Sequence, residues 1–456
     1  MEHTNESKPA TVAGLETERP KQAGETCARW AWVERSVWTE RMLLRLEQSQ
    51  EQTVWFSLWD KVWAEGNLHQ ACLEVVLNRG SAGVDGQSTT ALSQGWQADF
   101  PKLQQQLREG SYQPQAARRV WIPKPGTDEK RPLGIPAVRD RVVQAALKHV
   151  MEPIFERDFA AQSYGFRPGK RAQDALRRVE ALLRQGKQWI VDADLKGYFD
   201  TIPQDKLMGL IRRKIQDGRV LGLVEQFLKA GVMDQGRWSA SDRGTPQGGV
   251  ISPLLANIYL NPLDHRMEQR GWQMVRYADD FVVLCEQEEQ AQAVLEEIAQ
   301  WVKEAGLTLH PTKTRIVHAA GPGGFDFLGY HFERYGDGVG RKWPRKKSVD
   351  KLRDTLRPRL RRMQDGSMEA IIARINPVLR GWRAYFKDSL PSALESIDGW
   401  VRMRLRSIQR RRDQRKGMAY GADHQRYPNR WFAERGLFTL AGGTACWQQS
   451  RRAGNL

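Results

Sequence analysis

Two apolar stretches that each stop on acid constrain this chain more than any other feature. Trp189-Ile190-Val191-Asp192-Ala193-Asp194-Leu195 is apolar and β-branched up to its carboxylates. Gln273-Met274-Val275-Arg276-Tyr277 and Phe281-Val282-Val283-Leu284 are two further runs, separated only by Ala278-Asp279-Asp280. Runs of this kind read as buried strands, and the short gap reads as a hairpin turn. Acids at the ends of buried strands are costly unless something cationic gathers them. Asp194, Asp279 and Asp280, with few His or Cys nearby, make a hard-oxygen set suited to Mg²⁺ rather than zinc. Two such ions a few ångström apart could activate a 3′-hydroxyl and stabilise a departing pyrophosphate in in-line phosphoryl transfer. Taken alone, an Asp-Asp pair is most often a plain hairpin turn.

Charge narrows the partner. The chain carries 71 Lys+Arg against 54 Asp+Glu, a net +17. Residues 341–416 hold 23 Lys+Arg and 8 Asp+Glu, so +15 sits in that stretch and the remainder sums to +2. There, Arg404, Arg406, Arg410 and Arg411 are interleaved with Leu, Ile and Val. A basic face on helices, with aromatics available for stacking, suits a phosphate backbone, and these four arginines are the ones expected to touch nucleic acid. The bland reading is a solvated helix surface.

Several classes fall away. No stretch of eighteen apolar residues exists, so no transmembrane helix and no membrane partner is expected. The N-terminus is polar, without the apolar core of a signal peptide. Cys27, Cys72, Cys285 and Cys446 stand far apart, which excludes a CxxC site and suggests a reducing compartment, hence the cytoplasm.

Along the chain, residues 1–50 are polar and expected to be mostly disordered, with Trp30, Trp32 and Trp38 hinting at a docking segment. Residues 51–115 read as an N-terminal extension, with a helix over 55–78 that ends in the Gly-rich loop 80–86. Residues 116–335 hold the strand runs, with helices expected over 139–160, 170–186, 203–231, 250–270 and 287–305. Short strands are expected at 314–318 and 325–332. Residues 336–416 are basic and helical, and 417–456 form a short basic tail that could touch DNA.

Tyr277-Ala278-Asp279-Asp280 inside a hairpin resembles the catalytic motif of reverse transcriptases. The flanking blocks resemble the group II intron reverse transcriptase/maturase family, in the form without a C-terminal HNH endonuclease. Asn78 to Gly86 is similar to that family's N-terminal extension. Ile122-Pro123-Lys124-Pro125-Gly126 with Arg131-Pro132-Leu133-Gly134 is similar to its fingers hairpin. Ser163-Tyr164-Gly165-Phe166-Arg167-Pro168-Gly169 and Asp194-Leu195-Lys196-Gly197-Tyr198-Phe199 match the next two blocks. Gly244-Thr245-Pro246-Gln247-Gly248-Gly249 is highly specific to the family, and Phe327-Leu328-Gly329-Tyr330 and Gly381-Trp382-Tyr385-Phe386 follow in order.

The resemblance implies an α+β right-hand polymerase of fingers, a palm with an antiparallel sheet and an α-helical thumb, called maturase domain X. It implies RNA-directed DNA synthesis with two Mg²⁺ ions, coupled to binding and splicing of an intron RNA and to intron mobility. RNA template, DNA primer or target and dNTPs would be the partners. Asp194 and Asp279, assisted by Asp280, would be catalytic and hold the metals. Asp192, two residues earlier on the same strand face, competes with Asp194, which is preferred because it stands five residues before Phe199. Phe199 would lie against the sugar and exclude a 2′-hydroxyl, with an ordinary core Phe as the plain alternative. Lys124 and Arg131 would clamp the triphosphate, Gln247 would touch the nucleotide, and Lys313 would protonate the pyrophosphate. Tyr277 and the Phe327-Leu328-Gly329 turn would support primer and template. Three other readings share most of these residues: a splicing-only maturase, an RNA-dependent RNA polymerase, and a free-standing reverse transcriptase in repair or defence. The acids disfavour the first of these, and Phe199 with the fingers blocks disfavours the second.

Overall fold

The computed structural model describes residues 28–50, 52–123, 130–246, 248–320, 323–334, 340–415 and 421–442. Strands β1 (Ala117–Pro123) and β2 (Lys130–Ile135) pair as an antiparallel hairpin, as expected for the fingers. Strand β3 (Trp189–Asp194) begins a second sheet, while β4 (Val232–Asp234) and β5 (Arg237–Ser239) extend the first in the order β2-β1-β4-β5. The hairpin β6 (Gln273–Tyr277) and β7 (Asp280–Cys285) pairs through β7 with β3, and β8 (Arg315–His318) closes the order β6-β7-β3-β8. All pairs in this palm sheet are antiparallel. A third sheet, β9 (Phe325–Phe327), β10 (Tyr330–Arg334) and β11 (Gly340–Pro344), leads to the helices Lys346–Leu356, Met368–Tyr385 and Pro391–Arg412. The architecture is α+β, a right hand of fingers, palm and helical thumb. Among the described residues no helix is long and apolar enough to cross a membrane.

The palm sheet is buried on both faces, which is why its strands read as continuous apolar runs. Val191, Ala193, Phe281 and Val283 face the largest core, with helices Val138–Glu156 and Ser252–Gln269. Ile190, Val275, Val282 and Leu284 face a second core that holds helix Ala172–Arg184 and strands β9 and β10. A third core, built on Leu356, Ile375, Val401 and Leu405, belongs to the thumb.

Four expectations are corrected. Residues 28–50 are not an irregular polar lead: Trp30 and Trp38 are fully buried, and the Trp38 indole donates to the His149 carbonyl at 3.0 Å. Helix Glu40–Gln48 follows, with the Thr39 hydroxyl accepting from Met42 N as its cap. Large buried indoles outweigh the polar composition around them, since burying each removes far more apolar surface than a short polar segment loses.

The single helix expected over 203–231 is two, Gln204–Arg212 and Gly218–Lys229. Asp217 divides them because one of its oxygens caps the second helix while the other accepts from Leu58 N and Trp59 N at 2.7 and 2.9 Å. The strand expected over 325–332 folds back at Leu328-Gly329, both with left-handed φ, into β9 and β10. Residues 421–442 are not a separate tail, because Tyr427, Phe432, Leu437 and Leu440 are built into the thumb core.

Candidate active site

Strand alternation decides which acids meet. Asp194 lies opposite Asp280, and Asp280 opposite Tyr277, so these side chains leave the same face of the palm sheet, together with Asp192. Asp279 stands on the two-residue turn of the β6–β7 hairpin, after Ala278 at φ +60°. A left-handed first position is what two-residue hairpin turns favour, although Ala adopts it less readily than Gly.

The turn is held from beneath by groups absent from the expected site. Arg276 and Asp264 are fully buried, and Arg276 Nε donates to Asp264 Oδ1 at 2.7 Å. Arg276 Nη1 donates to the Ala278 carbonyl at 2.8 Å and to Asn257 Oδ1 at 3.0 Å, while Asn257 Nδ2 donates to the Gly165 carbonyl at 2.8 Å. At Gly165 any Cβ would lie 2.2 Å from Ala278 N, so only glycine lets that segment close on the turn. The signal in the sequence was Arg276 itself, a charge in the middle of an apolar strand run, which must find a buried partner.

The acids raise one another. Burial, and then the charges of Asp192, Asp279 and Asp194, push the Asp280 carboxyl up to about 7. Burial and the Asp194 charge raise Asp279, against the pull of Arg131 and Arg276. Burial also raises Asp192, with Arg315 opposing. Lys313 Nζ lies 2.7 Å from Asp194 Oδ2, a stand-in cation against the carboxylate that needs one. Among the described residues no three acidic, His or Cys side chains already form a cation cage. The donor set still fits a hard divalent ion: one or two carboxylates, here Asp194 and Asp279, with the rest of the shell open to substrate phosphates and water.

Around these acids the structure sorts the other expected residues. Phe199 lies half-buried against Tyr198, and its carbonyl accepts from Thr245 N at 2.7 Å, so the gate position and the Gly244-Thr245-Pro246 loop are joined. Arg131 stands on β2, and its charge reaches Asp279 and Asp200. Lys124 and Gln247 lie outside the described residues. Leu328, Gly329 and Asp280 line a cavity of about 600 Å³ between palm and thumb, with Arg345, Trp382 and Tyr385. Phe327 does not reach it: it is 1 % exposed, packed in the second core, and supports the turn from behind. Arg345 was not anticipated; its charge opposes the rise of Asp280, and its buried Nε has no hydrogen-bond partner among the described residues.

The model for "Reverse transcriptase (RNA-dependent DNA polymerase)" matches residues 122–332, and that for "Group II intron, maturase-specific domain" matches 349–427. The group II intron-encoded protein LtrA of Lactococcus lactis subsp. cremoris is 43 % identical over 163 residues, 36 % of this chain and 27 % of LtrA. Protein YkfC of Escherichia coli (strain K12) is 39 % identical over 299 residues, 56 % of this chain and 77 % of YkfC. The chain belongs to the group II intron reverse transcriptase/maturase family. Among solved structures, a chain of a partial Cas6-RT-Cas1–Cas2 complex is 26 % identical, with TM-score 0.34, covering 54 % of this chain and 41 % of that one.

In this family member the reverse transcriptase domain contains every acid described above, and the maturase-specific domain contains the basic helices. The four arginines expected to bind RNA divide by environment. Arg406 is 2 % exposed, donating to the Tyr427 carbonyl at 2.9 Å and to Asn429 Oδ1 at 2.7 Å, over the Phe432 ring. Arg410 pairs with the fully buried Asp423 at 2.5 Å. Arg404 is half-buried, donating to the Leu360 carbonyl at 2.9 Å. Arg411 is exposed. Arg406 and Arg410 therefore tie the helix Pro391–Arg412 to residues 421–429. The expectation that all four face RNA is corrected for Arg406, which is buried; Arg404 and Arg410 are half-buried, and Arg411 is the exposed member of the set.

Proposed function

We propose that this chain extends a DNA primer on an RNA template, taking dNTPs, and that its thumb binds the intron RNA whose splicing it assists. The observation that carries the reading is the convergence of Asp194, Asp279 and Asp280 on one end of the palm sheet, at a turn pinned by Arg276. Asp194 and Asp279 would hold two Mg²⁺ ions, which when bound supply charge stabilisation to the attacking and leaving oxygens. Phe199 would exclude a 2′-hydroxyl, and Arg131 with Lys124 would orient the triphosphate. Lys313, 2.7 Å from Asp194, stands where its ammonium could hand a proton to the pyrophosphate. Leu328 and Gly329, lining the palm–thumb cavity, would seat the primer.

The test replaces Asp279 by Asn. Primer extension on RNA should fall by several orders of magnitude, while affinity for an RNA–DNA hybrid changes less than threefold, because the charges that meet phosphates lie elsewhere. Near-parental extension by this variant would refute the polymerase reading.

A further inference from the structure

An aromatic side chain stands beside the catalytic turn with no part in the chemistry above. Phe166 has φ +57°, in the left-handed region that a residue with a Cβ adopts only under strain. Its neighbours force that backbone. Tyr164 N donates to the Arg276 carbonyl at 2.8 Å, and Arg276 N donates to the Gln162 carbonyl at 3.0 Å, so 162–164 run alongside β6. Gly165 is pressed against Ala278, as described above. On the other side Arg167 is 8 % exposed, with Nη1 donating to the Ala160 and Ser163 carbonyls at 2.6 and 2.8 Å and Nη2 to Glu156 at 2.7 Å.

Strain of this kind is ordinarily offset by packing, yet the Phe166 ring is 49 % exposed. Its centroid lies 6.4 Å from that of Tyr277. Tyr277 is the last residue of β6, opposite Asp280 and two residues before Asp279, so Phe166 flanks the hairpin that carries the acids. Beyond Tyr277 the apolar row continues to Leu328 and Tyr385, whose hydroxyl donates to the Leu328 carbonyl at 2.8 Å. An exposed ring without a charge offers sequence-independent contact to sugars and base edges rather than to phosphates.

We propose that Phe166 is a binding residue for the primer–template hybrid, its ring packing against sugar and base edges beside the reacting end. The proposal rests on the polymerase reading above. The test uses the full chain with Phe166→Gly and Phe166→Trp. Binding of an RNA–DNA hybrid is measured by fluorescence anisotropy without nucleotide, beside extension kinetics and thermal melting.

Glycine accepts φ +57° without strain, so Phe166→Gly should melt at or above the parent temperature. Its hybrid affinity should nevertheless fall about five- to hundredfold, with the KM for primer–template rising in step and kcat changing less than threefold. Phe166→Trp should keep parental affinity within about threefold. A Gly variant that binds the hybrid within twofold of the parent overturns the proposal. So does one that loses melting temperature along with binding, since the ring would then be serving the fold. A parent that binds the hybrid but extends no primer refutes the polymerase reading while leaving the Phe166 comparison decisive.

Discussion

Arg276 and Asp264 face each other, both fully buried, directly beneath the turn that carries Asp279. A buried ion pair adds little net stability, because desolvation of both charges offsets their attraction. What this pair does is local: with its charge balanced, Arg276 is free to aim a second nitrogen at the Ala278 carbonyl and a shared bond at Asn257. The acid is thus placed by the strand before it as much as by the turn.

Removing one partner separates these roles. Asp264→Ala leaves an uncompensated guanidinium in the core and should cost roughly 3–5 kcal/mol in urea unfolding. The double variant Asp264→Leu/Arg276→Met, apolar on both sides, should recover much of that stability. Extension should stay low in the double variant, since the Ala278 carbonyl still lacks its donor. Recovery of both stability and extension would show that the pair only fills space.

Phe199 can be examined through the sugar. Its ring is half-buried and its backbone is tied to Thr245, so shortening the side chain should open room without moving the loop. Phe199→Ala should raise rNTP use relative to dNTP at least tenfold in the ratio of kcat/KM values, even as the overall rate falls. An unchanged ratio would make Phe199 a packing residue.

The palm was legible because both of its faces are buried: strands enclosed in this way have no choice but to read as apolar runs, and acids interrupting them stand out. Helices such as Ala172–Arg184 and Glu288–Glu304 followed from periodicity, because each buries one face and exposes the other. What misled was composition taken as exposure. Trp30 and Trp38 sit in a polar stretch yet fill the core, and Arg406 looks like a phosphate ligand yet bonds the Tyr427 carbonyl. A long side chain with a charged end can serve either environment, and only the partner decides. Arg276 stood out as a charge in an apolar run, but its partners Asp264 and Asn257 did not, because they lie 12 and 19 residues away and meet it only where the helix Ser252–Gln269 packs against β6.

One pH dependence follows from a group far from the acids of the turn. The Tyr112 hydroxyl and Gln115 N both donate to Asp140, at the start of helix Val138–Glu156, and burial pushes the Asp140 carboxyl up to about 6. A carboxyl whose folded pKa lies above its unfolded value contributes stability that is complete below the unfolded pKa and is lost as pH rises through the folded one. Stability of the parent relative to Asp140→Asn, which does not titrate, should therefore fall between about pH 4 and about pH 6, by at most about 3 kcal/mol. Urea midpoints of both proteins across that range measure it, and a difference that is flat or grows with pH contradicts the assignment.

The thumb arginines give the last test, because environment predicts opposite outcomes for neighbours on one helix. Arg406→Gln strips donors from the Tyr427 carbonyl and Asn429, and should cost roughly 2–4 kcal/mol of stability. Any loss of RNA affinity in that variant should follow its unfolding and disappear at low temperature. Exposed Arg411, with Lys346 and Lys347 at the start of helix Lys346–Leu356, is in a position to meet phosphates. Changing these three to Gln should leave the melting temperature within a degree or two. RNA binding should weaken, and the slope of log affinity against log salt should flatten by about one unit for each phosphate that is no longer neutralised. Extension of a pre-annealed primer at saturating enzyme and low salt should survive, since the acids and their support are untouched. If the triple variant keeps the parental salt slope, these thumb cations are not the RNA surface, and the exposed cations of the N-terminal extension become the next to change.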